Sequence, residues 1–114
     1  MIDSDIKQLN KILYYAKRAF GFVENIDKDK FKSNEDTQWL SVFALIQLGE
    51  CVTNLSEHTI KEYSQIPWRK MKGFRNQIVH AYDGLDMNLV WDTLNDDMPN
   101  LIESISNVLS SLEQ

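Results

Sequence analysis

Apolar residues recur at intervals of three and four along most of this 114-residue chain, a spacing that places them on one side of an α-helix. No alternating run long enough for a β-strand occurs. The first predicted helix begins with Asp3 or Ser4 as its N-cap and ends before the polar stretch that starts at Glu24. Its apolar positions are Ile6, Leu9, Leu13, Ala16, Phe20 and Val23.

The polar stretch from Glu24 to Asp36 is predicted to be a loop that touches the core only through Ile26 and Phe31. A second long helix is predicted to begin near Ser33, with Asp36 three residues later in its first turn. It is the most hydrophobic element, so we expect it to lie in the middle of the fold.

One glycine interrupts the second predicted helix. Gly49 costs roughly 1 kcal/mol relative to alanine at such a position, which indicates close approach of another helix or of a ligand. We expect the next residue, Glu50, to be solvated. A carboxylate beside that close approach is the alternative.

The third predicted helix runs from Pro67 to about Tyr82 and ends at Gly84, which we expect to be a left-handed C-cap. Asp86 opens the last helical segment, and Pro99 should kink it or divide it. The fold class predicted is all-α, an up-and-down bundle of four long helices with the last one kinked or split near Pro99. The bundle is one domain over residues 1–114, with no repeat and no linker.

Charge is distributed unevenly along the chain, whose net charge is −5. Residues 63–82 contain four basic side chains and no acidic one, whereas residues 83–114 contain seven acidic side chains and no Lys or Arg. An acidic helix packed beside a basic one would explain this. A local basic surface formed by Arg69, Lys70 and Lys72, able to hold a phosphate, is the other interpretation.

The single cysteine, Cys51, lies in an apolar run without a basic neighbour, which predicts a buried and unreactive thiol. The first residues lack the pattern of a signal peptide, and no apolar run approaches the roughly 18 residues that span a bilayer. We therefore expect a soluble cytoplasmic protein with no membrane contact.

Arg75, His80 and Tyr82 stand close together among apolar residues at the end of the third helix. On a regular helix, Arg75 and Tyr82 point into the apolar stripe, and His80 lies about 140° from Arg75. A guanidinium there needs a carboxylate such as Glu50, or a face open to a cleft or a second subunit. The other histidine, His58, has no such neighbours and is expected at the surface.

These residue types fit phosphodiester cleavage better than other chemistries. Two histidines and one cysteine are too few and too scattered for a zinc site, and no glycine-rich phosphate loop is present. RNA carries its own nucleophile, the 2′-hydroxyl, which a histidine can deprotonate while an arginine stabilises the charge on the phosphate. One histidine per chain is few for both acid and base roles, and a two-fold dimer would supply a second.

The order Arg75, four residues, His80, one residue, Tyr82 resembles the R-x4-H-x-Y motif of the HEPN superfamily, specifically the HepT-like toxins of prokaryotic toxin–antitoxin pairs. The resemblance extends over residues 68–102, including Gly-Phe-Arg-Asn at the start of the motif and Val-Trp after it. The amino-terminal half shares only two amphipathic helices and a Gly-Glu pair in the second.

The resemblance implies a helical homodimer that is a metal-independent endoribonuclease acting on RNA, without cofactor. Arg75 and His80 would be catalytic, and Asn76 a supporting polar residue. Tyr82 would receive AMP from a partner nucleotidyltransferase of the MNT type, the antitoxin. The alternative is a non-catalytic HEPN module that binds such a partner or presents nucleotide to it. Because the chain is acidic overall, RNA affinity would depend on the basic stretch and fall steeply with salt.

Overall fold

The computed structural model describes residues 3–80 and 84–112, together with the side chains in these ranges except those of Val79 and His80. Within this part the secondary structure is helical and no strand occurs, which confirms the predicted all-α class. The α-helices are α1 (Asp3–Gly21), α2 (Lys28–Ser33), α3 (Glu35–Thr53), α4 (Glu57–Glu62), α5 (Trp68–His80), α6 (Met87–Asp92) and α7 (Met98–Leu112). A π-helical segment (Thr93–Asp97) joins α6 to α7.

Helices α1 and α3 form the inner pair of the bundle. Helix α3 packs against both α1 and α5, and α1 also packs against α7. The central place predicted for the second long helix is therefore confirmed. Residues at helical spacing on α1, α3 and α7 form the core, and burial of one such Leu or Ile side chain stabilises the fold by about 1.5–3 kcal/mol. The members without measurable exposure on α1 and α7 are Leu9, Ile12, Ala16, Ala19 and Ile105.

The predicted loop after α1 contains the short helix α2. Asp27 caps it by accepting a hydrogen bond from the backbone N–H of Lys30 at 2.8 Å. Phe31 is fully buried, and its ring centroid lies 5.4 Å from that of Trp91. The predicted core contact of Phe31 is confirmed. The loop assignment is wrong, and the helix was missed because six residues are too few to show a helical period.

Helix α3 begins one residue later than predicted from Ser33. Asn34 is the N-cap, and its Oδ1 accepts a hydrogen bond from the backbone N–H of Thr37 at 3.1 Å. Asn and Ser cap helices about equally well, so the sequence alone did not distinguish these neighbours.

A buried carboxylate connects α1 to the start of α4. Asp5 is 2% exposed and accepts hydrogen bonds from the Ser56 N–H at 3.0 Å, the Ser56 hydroxyl at 2.6 Å and the Thr59 hydroxyl at 2.6 Å. Burial alone would raise the pKa of Asp5, but the hydrogen bonds from Ser56 and Thr59 outweigh it and lower the pKa below its usual value. This network fixes α4 against the bundle.

The last helical segment is divided near Pro99, as predicted, by a π-helical turn. The backbone N–H of Met98 bonds to the carbonyl of Thr93, five residues earlier, and Pro99 follows directly. Because proline donates no hydrogen bond and crowds the preceding turn of an α-helix, a widened turn before it accommodates the ring.

The C-cap predicted at Gly84 is not found. No described glycine has a positive φ angle, so Gly84 is not a left-handed C-cap. Residues 81–83, where the predicted end at Tyr82 falls, lie outside the described residues. No described helix is long and apolar enough to cross a membrane.

Candidate active site

Gly49 and Arg75 meet where α3 crosses α5. A Cβ atom at position 49 would overlap the Cβ of Arg75, and it would lie 2.9 Å from the Arg75 Cγ and 3.3 Å from the Met71 carbonyl oxygen. Only a glycine lets the two helices approach this closely. The close approach predicted for Gly49 is confirmed, and the approaching group is α5.

The guanidinium of Arg75 is held on two sides. Its Nη2 forms an ion pair with the carboxylate of Glu50 on α3, and its Nη1 donates to Oδ1 of Asn76 at 2.8 Å. The side chain of Arg75 is 30% exposed and that of Glu50 is 42% exposed. Of the two predictions for Glu50, the second is therefore correct. Its carboxylate lies beside the close approach of α3 and α5 and pairs with Arg75.

This arrangement leaves hydrogen-bond donors available on the guanidinium. The Nε atom of Arg75 is buried and has no hydrogen-bond partner in the part of the chain that the structure describes. Each terminal nitrogen of an arginine carries two hydrogens. Glu50 and Asn76 each take one, so one hydrogen on each terminal nitrogen remains for an anion at the surface.

His80 occupies the last position of α5, and the backbone is α-helical up to it. The five steps from Arg75 to His80 therefore turn by about 140°, as in a regular helix. Asn76 lies one helical turn before His80 and on nearly the same side. Because Asn76 also binds the guanidinium, it lies between the two candidate catalytic positions. Tyr82 lies outside the described residues.

The basic residues of α5 lie on two different sides of the helix. Lys70 forms an ion pair with Asp97 of the π-helical segment at 2.8 Å. Arg69 and Lys72 are exposed and lie on the same side as Asn76, at helical steps of three and four. Lys70 therefore pairs with the acidic half of the chain, as the first interpretation expects. Arg69 and Lys72 remain at the surface, and phosphate binding by this basic surface stays a prediction.

Other reactive side chains lie outside this arrangement. Cys51 is buried, and burial raises the pKa of its thiol, which agrees with the predicted unreactive role. His58 is exposed as predicted, and its Nε2 lies 3.3 Å from a carboxylate oxygen of Glu62. Among the described side chains, no three His, Cys, Asp or Glu residues are grouped closely enough to bind a metal ion.

Comparisons with known proteins identify a family to which most of the chain is similar. The family model described as "Ribonuclease HepT-like" matches residues 12–108. A Methanocaldococcus jannaschii protein named "Putative RNase MJ0127" is 31% identical over 105 residues, which cover 92% of this chain and 87% of the relative. The Thermococcus cleftensis protein named "Probable ribonuclease HepT" is 32% identical over 80 residues, covering 70% of this chain and 73% of the relative.

No solved structure gave a significant match. The family match, in contrast, includes α3 and all of α5, and with them the residues that hold the arginine. The chain therefore belongs to the HepT-like ribonuclease family of the HEPN superfamily.

Proposed function

We propose that this protein is an endoribonuclease that cleaves RNA without a metal ion, with Arg75 and His80 as its catalytic residues. One observation carries the proposal. The Arg75 guanidinium is fixed between Glu50 and Asn76 and stays 30% exposed, and each of its terminal nitrogens has a second hydrogen that can bind an anion. The family membership and the names of the relatives support the same activity.

The reaction uses the nucleophile of the substrate itself. The 2′-hydroxyl loses its proton to a base and its oxygen bonds to the adjacent phosphorus, while the bond from phosphorus to the 5′-oxygen breaks. The leaving oxygen takes a proton, which yields a 2′,3′-cyclic phosphate and a 5′-hydroxyl. His80 is assigned to these proton transfers because histidine is the residue type best suited to give and take protons near neutral pH. Arg75 stabilises the negative charge that grows on the phosphate oxygens.

A homodimer is part of the proposal, since each chain offers one His80 for two proton transfers. Three large apolar side chains of α3 are exposed, namely Trp39, Leu40 and Phe43, at 48%, 51% and 58%. Phe43 lies seven residues, or two turns, before Glu50 on the same side of α3. A second copy seated on this apolar patch would therefore lie beside Arg75.

We further propose that the protein is the toxin of a cytoplasmic toxin–antitoxin pair. A partner nucleotidyltransferase would silence it by transferring AMP to the Tyr82 hydroxyl. This assignment rests on the R-x4-H-x-Y motif. An adenylate two residues from His80 adds bulk and negative charge where an RNA phosphate would bind.

A non-catalytic module that binds a nucleotidyltransferase, or presents nucleotide to it, is the second candidate. One observation favours it: the charge of Arg75 is matched by Glu50, as expected of a residue with a structural or recognition role. The arginine would then contribute to partner binding and not to chemistry.

Two variants and one control separate these candidates. We expect Arg75→Ala and His80→Ala each to abolish cleavage of RNA in the presence of EDTA, while the dimer persists. His58→Ala, which removes the other histidine at an exposed site, should retain the wild-type rate. Cleavage at the wild-type rate by either motif variant would exclude the substituted residue from catalysis, and no cleavage by the wild-type protein would exclude the ribonuclease assignment. Tyr82→Phe should cleave RNA normally but gain no adenylate in mass spectra after co-expression with the partner.

A further inference from the structure

A groove runs between α4 and α5 on the side of α5 away from Lys70. Side chains from three helices line this α4–α5 groove: Thr53 from α3, Glu57 and Lys61 from α4, and Trp68, Arg69 and Lys72 from α5. Lys61 was not among the residues predicted from the sequence to bind a phosphate. It lines the groove because α4 lies near the start of α5 in the fold.

The α4–α5 groove is positively charged. Lys61, Arg69 and Lys72 are exposed, and none of them forms an ion pair with a described residue. Glu57 is the one carboxylate among the described lining residues, so the balance is three positive charges to one negative charge. Arg75 and Lys70, by contrast, are both paired with carboxylates.

The other polar groups of the groove already have partners in the protein. The Thr53 hydroxyl donates to the carbonyl of Gly49 at 3.1 Å, and the Trp68 indole N–H donates to the carbonyl of Tyr63 at 3.0 Å. These bonds leave the charged groups of Lys61, Arg69 and Lys72 as the main free donors of the groove. The groove therefore suits a ligand recognised by its charge and not by its sequence.

The groove leads toward the candidate active site along one side of α5. Arg69, Lys72, Asn76 and the position of His80 follow one another at steps of three, four and four residues, which keeps them on one helix face. Asn76 binds the Arg75 guanidinium. A polyanion in the groove would thus pass from Arg69 and Lys72 to the place where Arg75 is held.

On the opposite side of α5 the surroundings differ. A second groove there is lined by Lys70 and by the carboxylates of Asp92, Asp96 and Asp97. The single lysine is already paired with Asp97. This side carries net negative charge and would repel a phosphate chain.

We propose that the α4–α5 groove binds the sugar-phosphate backbone of single-stranded RNA through Lys61, Arg69 and Lys72, and leads the strand to Arg75 and His80. This inference rests on the proposed function, which it extends by assigning a substrate-binding site. Binding is tolerant of sequence and sensitive to salt, because each phosphate contact releases counterions.

The test compares two triple variants of equal charge in a His80→Ala background, where RNA is not cleaved. The groove variant carries Lys61→Gln, Arg69→Gln and Lys72→Gln. The control carries Lys17→Gln, Lys28→Gln and Lys32→Gln at exposed positions of α1 and α2. Each loses three positive charges, so the net charge changes from −5 to −8 in both. The probe is a fluorescent oligouridylate of about 12 nucleotides, within the site sizes typical of single-strand binders.

Loss of three phosphate contacts lowers the slope of log K against log salt concentration by about 2 for a single strand. If the plots of log K against log salt concentration for the parent and the groove variant meet near 1 M salt, the groove variant binds RNA about a hundredfold more weakly than the parent at 0.1 M salt. The control should remain close to the parent. Equal weakening of RNA binding in both triple variants would show a general charge effect and overturn the proposal. Unchanged RNA binding by the groove variant would also overturn it, and this is the result expected if the groove binds a protein partner.

The same variants with His80 restored separate this inference from the proposed function. Weaker RNA binding together with no cleavage by the wild-type protein would leave the groove assigned and exclude the nuclease. Normal cleavage and normal RNA binding by the groove variant would support the nuclease and exclude the groove as the RNA-binding site. Circular dichroism and the midpoint of thermal unfolding check that all proteins are folded, as expected for substitutions at exposed positions.

Discussion

The backbone of Gly49 lies directly against the side-chain stem of Arg75, with no room for even one methyl group between them. The neighbouring residue, Glu50, pairs with the guanidinium of the same arginine. Two consecutive residues of α3 thus fix both ends of one side chain on α5. An arginine with several rotatable bonds is held in one arrangement by this pair, which lowers the entropy cost of presenting it to a ligand.

Gly49→Ala should destabilise the protein and reduce RNA cleavage. The added Cβ must push α5 away from α3 or displace the Arg75 stem, and such overpacking typically costs about 1–3 kcal/mol. Gly73→Ala on α5 is the matched control, because a Cβ there meets no atom within 4 Å. It should stabilise the helix by up to about 1 kcal/mol. Urea unfolding measures both, and equal stability changes would contradict the close contact.

Glu50 acts on the reaction through Arg75, so its substitution should change kcat and KM by different factors. Glu50→Gln keeps an oxygen that accepts the arginine hydrogen bond, and we expect it to retain most of the wild-type kcat. Glu50→Ala frees the guanidinium, and we expect kcat to fall by on the order of tenfold. A hydrogen bond to a charged group contributes about 1.5–3 kcal/mol when it is buried, and less when its partners are as exposed as Arg75 and Glu50. A role only in folding would change stability and leave kcat of the folded fraction unaltered.

Asp5 should make the stability of the protein depend on acid. Folding lowers the pKa of this carboxyl below its usual 3.8, so its contribution is complete above that pH and is lost as the pH falls through the lower folded-state value. Asp5→Asn should lower the free energy of unfolding at pH 7 by about 2–3 kcal/mol. The difference from wild type should shrink below about pH 4.

Asp3→Asn is the control for this experiment, because Asp3 lies in the same first turn of α1 but is exposed. Its loss should cost less than about 1 kcal/mol, the usual contribution of a carboxylate at a helix start. A constant difference between wild type and Asp5→Asn from pH 7 to pH 3 would mean that the charge of Asp5 does not matter.

Phe43→Lys should dissociate the proposed dimer and reduce cleavage with it. A charged side chain at the centre of the exposed apolar patch would be buried without a partner in the interface. Leu112→Lys, at the end of α7 and 38% exposed, changes a comparable residue away from the patch and should leave the dimer intact. Sedimentation velocity distinguishes the two species. A monomeric wild-type protein at micromolar concentration would exclude the dimer outright.

The long helices and the directions around α5 could be predicted from the sequence because they follow from local spacing. Helix α5 is regular to His80, so the angle counted from sequence applies to the structure. The glycine in α3 also carried its signal locally, since a helix interior disfavours glycine unless a neighbour comes close. Prediction from local spacing also explains why short elements were missed: α2 spans too few residues to show a helical period.

Contacts between distant residues could not be predicted in this way. The sequence suggested Glu50 only as one possible carboxylate for Arg75, and the pairing is established by the crossing of α3 and α5 beside Gly49. Lys70 and Lys72 are neighbours in one basic run, yet only the packing of the π-helical segment pairs Lys70 with Asp97. Lys61 lines the α4–α5 groove through the position of α4, which Asp5 of α1 fixes by its hydrogen bonds to the start of α4.

The ion pair of Lys70 with Asp97 has a consequence for how RNA would meet this molecule. At distances beyond about 10 Å a strand experiences the whole protein, whose net charge of −5 repels it, and salt screens that repulsion. Closer in, the unpaired cations lie on one flank of α5 and the carboxylates on the other. An encounter is therefore discouraged from most directions and guided along one, so that the electric field orients the strand before any atom touches it.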